Sequence, residues 1–152
     1  CRLMTIWLRL GKVSVTMPEP VHHRGSCLCG SVRFETTAPL QAASHCHCSM
    51  CRKAHGAAFG SYGSVRGEHH RFVQGQDHVR AYQSSAQVTR SFCSVCGSPL
   101  LWHSDAAHAD WVAVPLGTLD TPYETPPQKH IFVASKAPWV VICDGYPQQA
   151  EG

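Results

Sequence analysis

Ten residues constrain this chain more than any others: Ser44-His45-Cys46-His47-Cys48-Ser49-Met50-Cys51-Arg52-Lys53. They place three thiols in six positions, spaced C-x-C-x-x-C. In an extended stretch from Cys46 to Cys48 side chains alternate, so both thiols point one way and His47 the other. Ser49 suits the N-cap of a short helix over Ser49 to His55, which Gly56 ends. That turn carries Cys51 back over the two strand thiols, and the first helical amides favour a thiolate. The product is a three-sulfur claw with a free fourth direction. Three protein ligands and an open position describe a catalytic zinc, whereas structural zinc is closed by four.

A second set of thiols brackets the claw. Cys27-Leu28-Cys29-Gly30 precedes it and Cys93-Ser94-Val95-Cys96-Gly97 follows it. Each pair is followed by a glycine that lets the backbone curl round a metal. Cys27, Cys29, Cys93 and Cys96 together fit a closed, four-thiolate structural zinc that ties an early segment to a late one. The expectation is two zinc ions per chain, one structural and one open.

The nine cysteines among 152 residues are an odd number, and C-x-C pairs suit a shared metal better than a disulfide. A reducing, cytoplasmic setting follows from that choice. The length is that of one domain. A formal charge of +3, dispersed along the chain, gives no footprint for nucleic acid, and no apolar run reaches membrane-span length. Residues 1–20 read as an N-terminal extension to a domain at 21–149. Met17 offers a start that would make the preceding stretch upstream translation, the alternative being an added edge strand; either way Cys1 is set aside from the chemistry.

Along the domain, Val32 and Phe34 alternate with Ser31, Arg33 and Glu35, the period of a half-buried strand. Further strands are expected over 57–65, 72–73, 79–82, 87–92 and 99–103. Trp111 to Leu116 reads as a strand pushed toward an edge by Pro115. Residues 131–133 and 139–143 read as two buried closing strands, with 121–129 a Pro-rich loop. Many short strands separated by turns make a mostly-β domain.

Three stretches, Gly25 to Phe34, Cys46 to Arg52 and Arg90 to Gly97, occur in this order, followed by His130-Ile131-Phe132-Val133-Ala134-Ser135-Lys136-Ala137-Pro138-Trp139 and Asp144-Gly145-Tyr146-Pro147-Gln148. Taken together they resemble the glutathione-dependent formaldehyde-activating enzyme family, also called the centromere-protein-V/GFA domain, from about His22 to Gln149. The resemblance implies a single β-tent domain of short antiparallel sheets with one short helix. It also implies a structural zinc on Cys27, Cys29, Cys93 and Cys96 and a catalytic zinc on Cys46, Cys48 and Cys51. The implied reaction is that of a carbon–sulfur lyase joining a small thiol such as glutathione to an aldehyde such as formaldehyde. Three thiolates donate strongly to zinc, which suits holding a sulfur substrate better than splitting water.

Other residues carry paired readings. His45 and His47 are ligands or proton carriers, or simply face away from the claw. His55 approaches the pocket or only closes the helix. Arg52 and Lys53 meet substrate carboxylates or are solvated. Asp144 orients a proton or shapes the turn before Gly145. His22, His23, His69 and His70 read as surface histidines, Trp111 and Trp139 as core, and Cys143 as a small buried hydrophobe. The rival to a lyase is a non-catalytic zinc-binding interaction module. A redox enzyme of the methionine-R-sulfoxide reductase kind needs a spare reactive thiol, and Cys143 in an apolar run is unsuited to that.

Overall fold

The computed structural model describes residues 20–106, 108–124 and 128–152; the expectations for the N-terminal extension fall on residues 1–19, outside them. Among the described residues ten strands and one α-helix run in the order β1 (His23–Ser26), β2 (Arg33–Thr36), β3 (Gln41–Cys46), α1 (Ser49–His55), β4 (Gly60–Arg66), β5 (His70–Gln74), β6 (Val79–Ser85), β7 (Val88–Cys93), β8 (Pro99–Ser104), β9 (Trp111–Pro115) and β10 (Lys129–Ile131). β1, β2 and β5 form a small antiparallel sheet. The large sheet has the order β10-β3-β4-β9-β8-β7-β6. The domain is mostly β with one short helix, as the chain's punctuation implies.

The alternation in and beside β2 buries Val32, Phe34 and Thr36 and leaves Arg33 exposed. Phe34 enters the central core with Leu40, Val65 and Val114, where the two sheets meet. A second core lies around Val32, Leu100, Cys27 and Cys93, and a third around Tyr62, Ala113, Cys46 and Cys51. Each cluster of thiols is therefore built into its own piece of core.

Four expectations need correction. The large sheet is mixed, because β10 pairs with β3 in parallel, placing Ile131 opposite Cys46. β9 is an interior strand between β4 and β8; Pro115 is tolerated because it is the last residue of β9, beyond the Trp102–Ala113 and His103–Val112 pairs with β8. Residues 139–143 form no strand, and Trp139 and Val141 are 70% and 84% exposed, with Cys143 exposed too. The free edge of β10 is already occupied by Pro147–Gln149, through His130 N–H to Pro147 O and Gln149 N–H to His130 O. The apolar run 139–143 therefore has no edge to join, and it turns at Ala137, whose carbonyl accepts the Val140 N–H. Trp111 is half-buried, with the Arg66 guanidinium over its ring.

His70 is the fourth correction. It is no surface residue: its ring packs on Phe34 and Phe72, and its Nε2 is buried without a hydrogen-bond partner. Burial brings its pKa down to about 4. Above pH 6.5 both the folded and unfolded chain hold this group neutral. Below it only the unfolded chain takes up the proton, so stability is lost as pH falls from 6.5 toward 4. By pH 5 the loss amounts to about 2 kcal/mol. Urea unfolding at pH 7 and pH 5 measures it, and His70→Phe is expected to remove that share of the pH dependence.

Gly75 makes the sharpest backbone demand. It sits at φ +68°, and a Cβ there would come within 2.0 Å of the Ser31 carbonyl oxygen. Gly145, at φ +80°, has open space around it. Gly145→Ala should cost about 1 kcal/mol, the left-handed penalty alone. Gly75→Ala must also displace backbone and should cost about 3 kcal/mol. Paired urea midpoints separate the two.

Candidate metal centre and active site

β3 ends at Cys46 and α1 begins three residues later, at Ser49, with the helix boundaries and the Gly56 stop (φ +58°) that the sequence implies. The cap differs. Cys48, not Ser49, is the N-cap: it holds the extended conformation before the helix, and its Sγ accepts the Cys51 N–H at 3.4 Å. A cysteine sulfur performs the task of a capping oxygen at the start of the helix, and Ser49 becomes the first helical residue. Cys46, Cys48 and Cys51 bring their sulfurs within 4.8 Å of one another.

The quartet is assembled from two knuckles. Gly30 (φ +74°) and Gly97 (φ +77°) take the left-handed conformation that the glycines after each pair were expected to supply. Gly97 N–H donates to Cys93 O, and Gly30 N–H to Cys27 O. The four sulfurs lie within 4.8 Å of one another, with Cys27 to Cys29 at 3.5 Å and Cys29 to Cys93 at 4.0 Å. Tetrahedral zinc with thiolate bonds of about 2.3 Å spaces its sulfurs by about 3.8 Å, so the arrangement fits that ion. All eight cysteines among the described residues are unpaired thiols. Ser98 hydroxyl and amide bonds bring Cys96 down to about 5, Ser31 lowers Cys29, and burial pushes Cys93 up to about 11.

Around the claw the structure adds residues that the sequence reading passed over. Arg90 reaches from β7, its Nη2 pointing at Cys51 Sγ at 3.6 Å, its Nη1 donating to Tyr62 Oη at 3.2 Å, and its Nε to Ser84 Oγ. Tyr62 Oη lies 2.6 Å from His55 Nε2. Burial holds the Tyr62 phenol above and the His55 imidazole below their ordinary pKa values, so the phenol donates to a neutral ring. His55 thus reaches the pocket through Tyr62. Cys51 is lowered to about 5, first by the Cys46 thiol that donates to it and then by Arg90, while Cys46 is pushed up. Soft sulfur donors of this kind suit zinc. A cue for Arg90 exists in the sequence: with Val88 and Phe92 it occupies one face of an alternating strand, an unusual place for a cation.

Behind the claw, His47 turns to the other side of the chain and is fully buried with His130. His130 Nε2 lies 2.9 Å from Asp144 Oδ2, and His130 Nδ1 lies 2.8 Å from His47 Nε2. The carboxylate fixes the chain of bonds: Nε2–H of His130 donates to Asp144, so His47 donates to His130 Nδ1. Asp144 also accepts the Tyr146 N–H, so it shapes the turn and orients the imidazole at once. His45 bonds Ser61 Oγ and packs on the His130 ring. Arg52 Nε donates to the His47 carbonyl, a local brace on the claw's loop.

The claw forms the floor of a cavity of about 590 Å³, with Tyr62, Arg90 and Trp102 among its walls. A second cavity, of about 580 Å³, reaches Cys27 of the quartet but none of its other three cysteines. No helix among the described residues is long and apolar enough to cross a membrane.

Comparison with known proteins agrees with this geometry. The family model for the glutathione-dependent formaldehyde-activating enzyme matches residues 22–135. A Halomonas elongata protein described as a "Putative glutathione-dependent formaldehyde-activating enzyme" is 33% identical over 127 residues, covering 78% of this chain and 79% of that protein. A crystal structure of a Rhodobacter sphaeroides protein superposes with a TM-score of 0.56 at 26% identity, over 66% of this chain and 90% of that one. With its two thiol clusters in order and the match running across most of its length, the chain belongs to the glutathione-dependent formaldehyde-activating enzyme family.

Proposed function

We propose that the protein is a zinc-dependent carbon–sulfur lyase that makes and breaks S-hydroxymethyl-type adducts of small thiols, with Cys46, Cys48 and Cys51 as its site and Cys27, Cys29, Cys93 and Cys96 as a structural quartet. The carrying observation is the contrast between the two clusters: four sulfurs that make a full tetrahedral set, and three that leave one position to a cavity of about 590 Å³ which all three line. Zinc on the claw would supply Lewis acidity that keeps an incoming thiol, glutathione or a relative, ionised.

The chain's own residues do the rest. Arg90 places positive charge beside Cys51 and offsets the negative charge that three thiolates and a substrate sulfur bring together. Tyr62 and His55 hold that guanidinium's neighbour in one orientation. Trp102 and Ile131 form apolar walls that exclude water from the reacting atoms. In the forward direction the sulfur–carbon bond forms and the thiol proton ends on the aldehyde oxygen; cleavage reverses both. Eight unpaired thiols fit a reducing compartment.

Exchange NMR of glutathione, formaldehyde and their adduct tests the reading: zinc-loaded protein should accelerate interconversion above its spontaneous rate. Arg90→Gln should lose about 30-fold of that acceleration, in the range of one preorganised charge. No acceleration by zinc-loaded wild type would reject the lyase. The exposed Trp139 and Val141 favour the other reading, an interaction module, but such a module has no use for a cavity that ends on thiols.

A further inference from the structure

The cavity over the claw is far larger than a hydroxymethyl group, which occupies little more than a water's share of roughly 30 Å³, against about 590 Å³ available. Its walls are apolar, with Met50, Val88, Trp102, Ala113, Ile131 and Phe132 surrounding the sulfurs. Among the described residues no Asp or Glu side chain lines it, so the ammonium of a peptide thiol finds no side-chain counter-ion there. Both cations in the wall are engaged, Arg90 with Cys51, Tyr62 and Ser84, and Lys129 with Gln149 Oε1 at 3.1 Å.

Phe132 supplies an independent sign. Its backbone sits at φ +57°, a conformation that a bulky residue adopts only when its surroundings impose it. Its ring lines the cavity and remains 36% exposed. The Met50 side chain, 47% exposed, stands at the same opening. Strain held at an aromatic side chain, beside apolar surface left in water, is the arrangement of a binding wall rather than of a core.

We infer that the aldehyde-derived half of the substrate is bulky and apolar, so that the enzyme acts on thiol adducts of ring-bearing aldehydes in preference to the adduct of formaldehyde. The inference rests on the lyase reading above and narrows it. The bond change is the same: the C–S bond of the adduct breaks with its electron pair left on sulfur, the hydroxyl carbon becomes the carbonyl, and the hydroxyl proton ends on the released thiol. The added energy comes from burying the ring against Trp102, Ile131 and Phe132.

The test uses the full chain loaded with zinc and two adducts of glutathione, one with formaldehyde and one with phenylacetaldehyde. The expected result is a kcat/KM at least tenfold higher for the phenylacetaldehyde adduct, the discrimination that a few apolar contacts give. Phe132→Ala, and separately the exposed Met50→Lys in case the first variant does not fold, should each lower that ratio about tenfold. Tryptophan fluorescence gives a readout apart from turnover: 2-phenylethanethiol should quench it at lower concentration than ethanethiol, and Trp102→Phe should remove the quench. Equal or better turnover of the formaldehyde adduct overturns the inference and leaves the lyase standing. Acceleration of neither adduct removes the lyase reading and the inference with it.

Discussion

Replacing Cys93 by serine is expected to leave a chain without a cooperative unfolding transition. Cys93 is completely buried, and it belongs both to the core with Val32 and Leu100 and to the quartet with Cys27, Cys29 and Cys96. The reading of this quartet as a structural zinc site sets the magnitude. A structural zinc contributes on the order of 10 kcal/mol of apparent binding free energy, comparable with the whole stability of an ordinary domain, about 5–15 kcal/mol. Weakening a ligand that spans the early and late halves of the chain removes most of that contribution. Circular dichroism against temperature, with zinc content on the same samples, is the measurement. A sharp transition and two zinc ions per chain in Cys93→Ser would show that the quartet does not support the fold.

Cys48→Ala should do the reverse, keeping the fold and losing the chemistry. Cys48 lies at the surface end of the claw, half-buried, and contributes one weak N-cap bond to α1. Its removal costs the helix about 1 kcal/mol. On the proposed reading of both clusters as zinc sites, a two-sulfur claw cannot hold the ion as three do, so the metal content should fall from two per chain to one. Acceleration of adduct exchange should drop by at least about 1,000-fold, since loss of the metal removes the main stabilisation of charge in the transition state. Retained turnover with one zinc would move the active site away from the claw.

The claw's local geometry was legible because it depends on nearest neighbours: alternation over Cys46–Cys48, a seven-residue helix and a glycine stop are all short-range rules. So was the burial of Val32 and Phe34. The failures share one cause. Whether residues 139–143 become a strand depends on whether a sheet edge is free, and Pro147–Gln149 takes the edge of β10 first. Whether Pro115 marks an edge depends on which residues of β8 reach it. The His70 ring is half-buried, with its Nε2 out of water, because Phe34 of β2 and its own strand neighbour Phe72 pack on it. Arg90 and Tyr62 lie 28 residues apart and 39 and 11 residues from Cys51, and only the closing of the large sheet brings them to it. The pairing of His130 with Asp144 and His47 is likewise a product of the parallel register of β10, which no local pattern announces.

The quartet has a consequence in time as well as in energy. Cys29 and Cys93 are 64 residues apart, and the whole claw lies inside the loop they close. Closing so long a loop comes late, after β3 to β7 have been placed, because its entropy must be met before any sulfur meets its partners. The claw, by contrast, closes within six residues and forms as soon as β3 and α1 do. A nascent chain can therefore complete the claw before the quartet, whose Cys93 and Cys96 are made last. On the zinc reading proposed above, metal captured at the claw could not stand in for metal at the quartet, so the supply of zinc during synthesis would govern how much folded protein is made, not only how much of it is active.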